Sequence, residues 1–420
     1  MNIKLAFKNI TALTAVARMQ SSTHRIDPPL NVQIIIDNND LTFSFFGGHS
    51  SIEVKTTLDK LSAKHTGTDK SCSIFTPALH FAKALKNIPI DSKVSLSVTD
   101  KNILITAGKR KFKLPFSTDY IHSKKPLVDL TKIKKDELIE IADVHGLMSS
   151  NTGYLLFNKN KTISSDSNKR YVICIRDSIA SFPATVKHTP KGEKELDVNT
   201  SFTMYTSTIR GVVHLIKNYC TDDEVNMAFV IPAQVPSRIS FGFDTKQGSV
   251  RAEVTLLDDN IHRPMLQIGS NMDALEVSTE CLPGTDLIEA LSAAMVTEES
   301  KLDAVILLSN EVDVSKMTLA TPDSNFSDEV AVDTTCQFTV AIRPSHLLKI
   351  VKDLQEGMVF RFGTKNRAFL IKKDKVTYAM GCMIDPALGM RYDVKETAVV
   401  GKESGNSKEG AIPEPAGSVE

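Results

Sequence analysis

The chain has 420 residues, too many for one ordinary hydrophobic core, and this length suggests about three domains. With 41% hydrophobic and 24% charged residues, and no apolar run near the roughly 20 residues that span a bilayer, the composition describes a soluble globular protein and excludes a membrane-spanning one. Fifty basic side chains balance fifty acidic ones, which excludes a protein that holds nucleic acid by net charge alone. The six cysteines stand singly with no C-x-x-C pair, as expected of free thiols in a reducing compartment. "MNIKLAFKNI" lacks the plan of a signal peptide, so a cytoplasmic location is expected.

In chain order, apolar residues at helical spacing (Phe7, Ile10, Leu13, Val16) predict a helix over 7–20, and the alternating "NVQIIID" and "LTFSFF" predict strands. "TPALHFAKALKNI" predicts a second helix, with Thr76 as cap and Pro77 at its first position. Leu79, Ala82, Leu85 and Ile88 should face a core, leaving His80, Lys83 and Lys86 outside. "VSLSV" and "ILITA" follow as strands around a turn at 100–102. The order then repeats. A helix over 134–148 (Leu138, Ile141, Val144, Met148) precedes "GYLLFN" and "RYVICI". A fourth helix carries the stripe Ile209, Val212, Ile216 and Tyr219, with Arg210 and Lys217 off it, before "RISFGF" and "VRAEVTLL". A helix over 285–296 (Leu287, Ile288, Leu291, Met295) leads to "AVILLSN" and "MTLAT". Finally Pro344 opens a helix with the stripe Leu347, Leu348, Val351 and Leu354 and with Lys349 and Lys352 outside, followed by "VFRF" and "AFLI".

The expected fold class is therefore α+β: three similar domains, each with two helices packed on antiparallel sheets. They cover 1–125, 126–265 and 266–388, with boundaries near Lys124–Pro126 and Pro264–Gln267. From Gly389 onward the Gly, Ser, Glu, Lys and Pro content predicts a flexible tail, 389–420.

The succession "HRIDPPLNVQIII", "FTPALHFAKALKNIP…VSLSV…ILITAGKRKFKL" and "RPSHLLKIVKDLQ…VFRF…YAMGCMI" resembles the bacterial DNA sliding clamp, the beta subunit of DNA polymerase III, over roughly residues 1–385. The resemblance is to a divergent member, with a viral origin as one expectation. It implies a non-enzymatic processivity factor without cofactor or metal: two chains, head to tail, form a six-domain ring whose helices surround double-stranded DNA. Its implied partners are that DNA, a DNA polymerase and an ATP-dependent clamp loader, in the cytoplasm of the cell or of a viral host.

The resemblance implies a DNA-facing set of small and basic residues off the helix stripes: Lys8 and Arg18 (with Thr11 and Ala15), Arg25, Lys83, Lys86, Arg210, Lys217, Lys349 and Lys352. Such contacts meet phosphates without reading bases. The helix over 285–296 departs from this, with Asp286 and Glu289 and no basic residue. The resemblance also implies a chain-to-chain interface of Phe112 and Leu114 against Met295 and Val296, with Lys109, Arg110, Lys111 and Lys113 near Glu298 and Glu299. A cleft for partner peptides is implied at Leu155, Arg170, Tyr171, Val172, Pro264, Met265, Met380, Cys382 and Met383. Two departures touch it: "SNKRY" replaces a Gly-His-Arg turn, and "GCM" replaces Met-Pro-Met. An enzyme is disfavoured because no phosphate loop, zinc helix or nucleophile elbow is present. The remaining alternative is a clamp-like interaction scaffold that does not encircle DNA.

Overall fold

A computed structural model describes residues 2–396 except 9, 20–29, 90–91, 100–101, 119–125, 147–152, 166–171, 178–181, 190–194, 232–235, 276–278, 298–302, 311–312, 335, 364–366 and 368. The first repeat comprises β1 (Ile3–Phe7), α1 (Thr11–Met19), β2 (Asn31–Asp37), β3 (Asp40–Phe46), β4 (Ser50–Thr57), β5 (Ala63–His65), β6 (Ser71–Pro77), α2 (Ala78–Lys86), β7 (Val94–Val98), β8 (Ile103–Ala107) and β9 (Arg110–Leu114). The second comprises β10 (Leu127–Lys134), α3 (Lys135–Gly146), β11 (Tyr154–Asn158), β12 (Lys161–Ser165), β13 (Val172–Asp177), β14 (Thr185–His188), β15 (Leu196–Asn199), β16 (Phe202–Tyr205), α4 (Thr206–Tyr219), β17 (Glu224–Val230), β18 (Arg238–Thr245) and β19 (Gly248–Thr255). A linking helix, α5 (Asp259–Asp273), leads to the third: β20 (Thr279–Pro283), α6 (Leu287–Thr297), β21 (Val305–Ser309), β22 (Lys316–Ala320), β23 (Ser327–Thr334), β24 (Cys336–Ile342), α7 (Pro344–Leu354), β25 (Val359–Phe362), β26 (Phe369–Lys373), β27 (Val376–Met380) and β28 (Tyr392–Glu396).

Two junctions join the repeats by the same device. The last strand of the second repeat pairs with the first repeat (β19 with β4), and β27 near the end of the third pairs with the second (β27 with β13), both antiparallel. Even the register repeats: Ser249, second residue of β19, lies opposite Lys55, and Thr377, second residue of β27, lies opposite Ile175. Lys55 and Ile175 each face the third residue of the strand before them, Thr42 and Ile163. The sheets therefore run across the junctions, in the orders β10-β17-β18-β19-β4-β3-β2-β6 and β16-β11-β12-β13-β27-β26-β25-β20-β23-β22-β21-β24-β28. One apolar core extends from the first repeat into the second, and another is shared by Val172 and Cys174 with the third. Burial of this continuous apolar area, at about 25 cal/mol per Å², is what holds the repeats together.

Beneath the second junction lies a polar cluster. His145 of α3 is wholly buried between Ser164 Oγ (2.6 Å from Nδ1) and Thr162 Oγ1 (2.8 Å from Nε2). Thr162 donates to the Arg176 carbonyl, so its oxygen accepts from a protonated Nε2. Burial, then the nearby Arg176 charge, lowers the His145 pKa to about 3, so the ring is neutral. Arg176 itself is buried and bridges Glu137 and Glu140.

Several expectations need correction. The start of the first predicted helix is strand β1, which contains Phe7. On α2 the buried residues are Ala78, Phe81, Ala84 and Leu85, whereas Leu79 is exposed; Phe81 packs on Phe43, which fixes the helix rotation. Thr76 lies in β6 and makes no capping hydrogen bond. Pro264–Gln267, expected as a connector, lies inside α5, which presses Met265 and Ile268 onto Leu156 and Ile163 of the second repeat's sheet. The expected tail begins too early, because β28 pairs with β24 from Val340↔Tyr392 to Cys336↔Glu396. No helix among the described residues is long and apolar enough to cross a membrane.

Candidate nucleic-acid interface

Six helices form one continuous layer. They pack in pairs, α1 with α2, α3 with α4 and α6 with α7. Two electrostatic contacts order the pairs. Tyr219 at the end of α4 is raised in pKa by burial, opposed by the charge of Arg18 on α1. Asp353 on α7 is raised by burial, opposed by Lys373 and reinforced by Asp143 on α3. Packing agrees, with Tyr219 of α4 against the core shared with the first repeat and Val144 of α3 against the core of the third, which gives the order α2, α1, α4, α3, α7, α6.

Apolar spacing buries one face of each helix against the sheets, and the opposite face carries the charges. Arg18, Lys83, Lys86, Arg210, Lys217, Lys349 and Lys352 are all exposed, as their off-stripe positions predict, and Lys8 is exposed in the turn before α1. Arg25 falls outside the described residues. Lys83 and Lys86 are the sixth and ninth residues of α2, and Lys349 and Lys352 are the sixth and ninth of α7. In α4 those positions hold Gly211 and His214, so Arg210 and Lys217 sit out of register with the lysines of the other two repeats.

The acidic side of this layer is absent from the set that the resemblance implies. Asp136, Glu140 and Asp143 are exposed on α3, and the carboxylate of Asp143 lies 3.0 Å from Lys217 Nζ. Spacings of four and three in "KDELIEIADVHG" mark one helical face and could have shown it. Asp286, by contrast, precedes α6 and accepts from the Ala331 amide at 3.0 Å, leaving Glu289 as the exposed acid of that helix.

The two ends of the chain carry unlike edges. β9 is the outer strand of the sheet β5-β1-β7-β8-β9 and bears Arg110, Lys111 and Lys113. Leu114 on β9 is buried in its own repeat, and Phe112 packs half-buried beside it. Met295 and Val296 at the end of α6 are 39% and 86% exposed. Glu298 and Glu299 lie outside the described residues; among the described ones, β23 carries exposed Asp328, Glu329 and Asp333.

The expected peptide cleft is dispersed. Leu155 points into the helix-side core, and its neighbour Leu156 faces α5. Met265 is buried beneath α5, and Pro264 is half-buried within that helix. Val172 and Met380 pair across the β13–β27 junction, both buried. Cys382 packs beside them, its thiol pushed up to about 12 by burial. Met383 belongs to a separate cluster with Ala304, Ala341, Leu388 and Met390. Arg170 and Tyr171 are outside the described residues. Val172, Met380 and Cys382 thus share one cluster, while Leu155, Met265 and Met383 belong to three others. No group of three or more metal-ligating side chains occurs among the described residues.

A thrice-repeated pair of helices on antiparallel sheets, joined edge to edge, defines a three-domain clamp architecture. The chain has the fold of the bacterial DNA sliding clamps. It aligns with the Caulobacter crescentus beta sliding clamp at 18% identity and TM-score 0.67, covering 92% of this chain and all of that one. With the DNA polymerase III beta subunit of Pseudomonas aeruginosa the values are 14% and 0.68, with 91% of this chain and all of that one covered. With that of Thermotoga maritima they are 13% and 0.64, at the same coverage. No family model matches the sequence, and no curated protein matches it.

Proposed function

We propose that two copies of this chain close head to tail into a ring around double-stranded DNA. The ring acts as a processivity factor in the cytoplasm, tethering a DNA polymerase to its template without catalysing a reaction. One observation carries this: a junction made twice within the chain leaves one of its halves, β9, at an outer edge, and the other on residues 327–330 of β23, ahead of the stretch 332–334 that β20 covers. β9 stands where β19 and β27 stand in their repeats, and β23 stands where β4 and β13 stand. Glu329 faces the third residue of β22, as Lys55 and Ile175 face the third residues of theirs. Carrying the shared register over sets Lys111, second residue of β9, opposite Glu329 of a second copy. A basic edge then meets an acidic one, and complementarity of this kind fixes register and partner. Glu329 already accepts from Lys316 at 2.8 Å, and a carboxylate has room for a second cation. Exposed Leu79 on α2 and exposed Met295 and Val296 on α6 lie at the outer ends of the helix layer, where closure would cover them.

A closed ring retains DNA by topology, which suits a chain of zero net charge. An ATP-dependent loader would open it. A peptide-binding cleft at the second junction requires α5 or the segment after Met380 to move from its present packing. A second reading, a clamp-shaped scaffold that does not encircle DNA, draws on the acidic face of α3. Loading on a nicked circular duplex, followed by linearisation, separates the two. The ring should be retained on the circle and lost from free ends. Retention indifferent to linearisation would favour the scaffold.

A further inference from the structure

The charges across the helix layer are not evenly spread. Among the described residues, the contiguous helices α2, α1 and α4 expose five basic side chains, Lys83, Lys86, Arg18, Arg210 and Lys217. Their sequences contain no acidic residue. The next three helices reverse the balance. On α3, α7 and α6 the exposed acids are Asp136, Glu140, Asp143, Asp353 and Glu289, against two exposed lysines, Lys349 and Lys352. Asp353 and Asp143 act on each other across the second junction, with Lys373 acting on Asp353, Arg176 pairing with Glu140 and Lys217 with Asp143, which leaves Asp136 and Glu289 as the acids of these helices farthest from such pairing. Lys349 and Lys352 occupy the same helical positions as Lys83 and Lys86, yet their three helices expose five carboxylates where α2, α1 and α4 expose none.

Resting on the clamp reading above, we infer that the phosphate-binding surface is confined to the arc α2–α1–α4. The arc α3–α7–α6 holds a polyanion off. Its acidic groups repel phosphates, and its lysines are screened before a duplex can approach. In a two-fold ring this yields two basic arcs separated by two acidic ones, so a duplex leans on one basic arc at a time. Asp143 marks the border between the arcs, its ion pair holding Lys217 against α3.

The test uses the full chain and a short blunt-ended DNA duplex, with binding measured across a salt series. Each phosphate that the protein no longer neutralises lowers the magnitude of the log K against log salt slope by about 0.9. The double variant Lys83→Gln/Lys86→Gln should flatten the slope by roughly that amount per lysine. Lys349→Gln/Lys352→Gln should leave it unchanged. All four side chains are exposed, so melting temperatures should match the parent chain and show that both variants fold. Equal flattening by the two pairs, in a protein that is still retained on nicked circles, overturns this inference alone. A parent chain that neither binds the duplex nor is retained on circles overturns the clamp reading as well.

Discussion

Tyr392 holds both backbone groups of one residue: its hydroxyl donates to the Gly363 carbonyl at 2.9 Å and accepts from the Gly363 amide at 3.1 Å. The strand that carries it, β28, covers an edge of β24. Among the described residues, the equivalent edges of the other two repeats, on β6 and β16, show isolated backbone contacts, Ser117 with Phe75 and Leu257 with Thr203. Burial raises the Tyr392 pKa, so the neutral hydroxyl that can both donate and accept is the form present. Tyr392→Phe should cost about 1–3 kcal/mol, since it leaves Gly363 groups without partners. Urea unfolding should show a lower midpoint with an unchanged slope.

Gly248 stands at the first junction with φ of +150°, and a β-carbon there would lie 2.0 Å from the Lys55 carbonyl oxygen. Gly248→Ala should therefore force β19 from β4 and lower stability by a few kcal/mol, on the order of other backbone clashes. Gly242→Ala is the control. Its added carbon would meet nothing nearer than 3.8 Å, and its melting temperature should stay close to that of the parent.

His145 makes stability depend on pH. Its pKa is about 3 when folded and near 6.5 when unfolded, so the unfolded chain takes up the proton first as pH falls. The stabilisation is fully present above pH 6.5 and is lost progressively from there down to about pH 3. The slope from this one group approaches ~1.4 kcal/mol per pH unit within that window. His145→Gln should be less stable at neutral pH, yet show a shallower decline between pH 6 and pH 4 when unfolding free energies are compared. A parallel decline in both proteins would reject the assignment. Arg176 and Glu137 also face this site, and comparison with the variant removes their common contribution.

The repeat was legible in the sequence because it rests on periodicity. Leu347, Val351 and Leu354 on α7, and Ile209, Val212 and Ile216 on α4, are buried as their spacing requires. Where two solutions share a period, only packing decides. Leu79–Ala82–Leu85 and Ala78–Phe81–Leu85 both fit a helix, and contact with Phe43 selects the second. "YLLFN" offers adjacent leucines, and alternation alone does not say that Leu156 faces α5. Pro264 made a helix look like a connector, and α5 forms because its apolar face finds Ile163 beneath it. β28 has few apolar residues of its own and is held by the hydrogen bonds of β24, a long-range cause that composition does not carry. For the candidate interface, the lysines were legible one helix at a time. The acidic arc needs the order of helices in space.

Charge reversal addresses the ends of the chain. Lys111→Glu should weaken self-association by about tenfold or more, since like charges would face each other across the proposed edge. Glu329→Lys alone should do the same, and the two together should restore association. Sedimentation across a dilution series reads all three.

The most direct measurement is a cross-link across that edge. Cysteines replace Lys111 and Glu329 in a chain whose half-buried thiols, Cys72 and Cys382, are changed to serine. After oxidation on a nicked circular duplex, the account requires a doubly linked dimer that stays on the circle through denaturing detergent and falls away once the DNA is cut. Uncross-linked single chains, or a covalent dimer that denaturant strips from intact circles, would contradict closure around DNA.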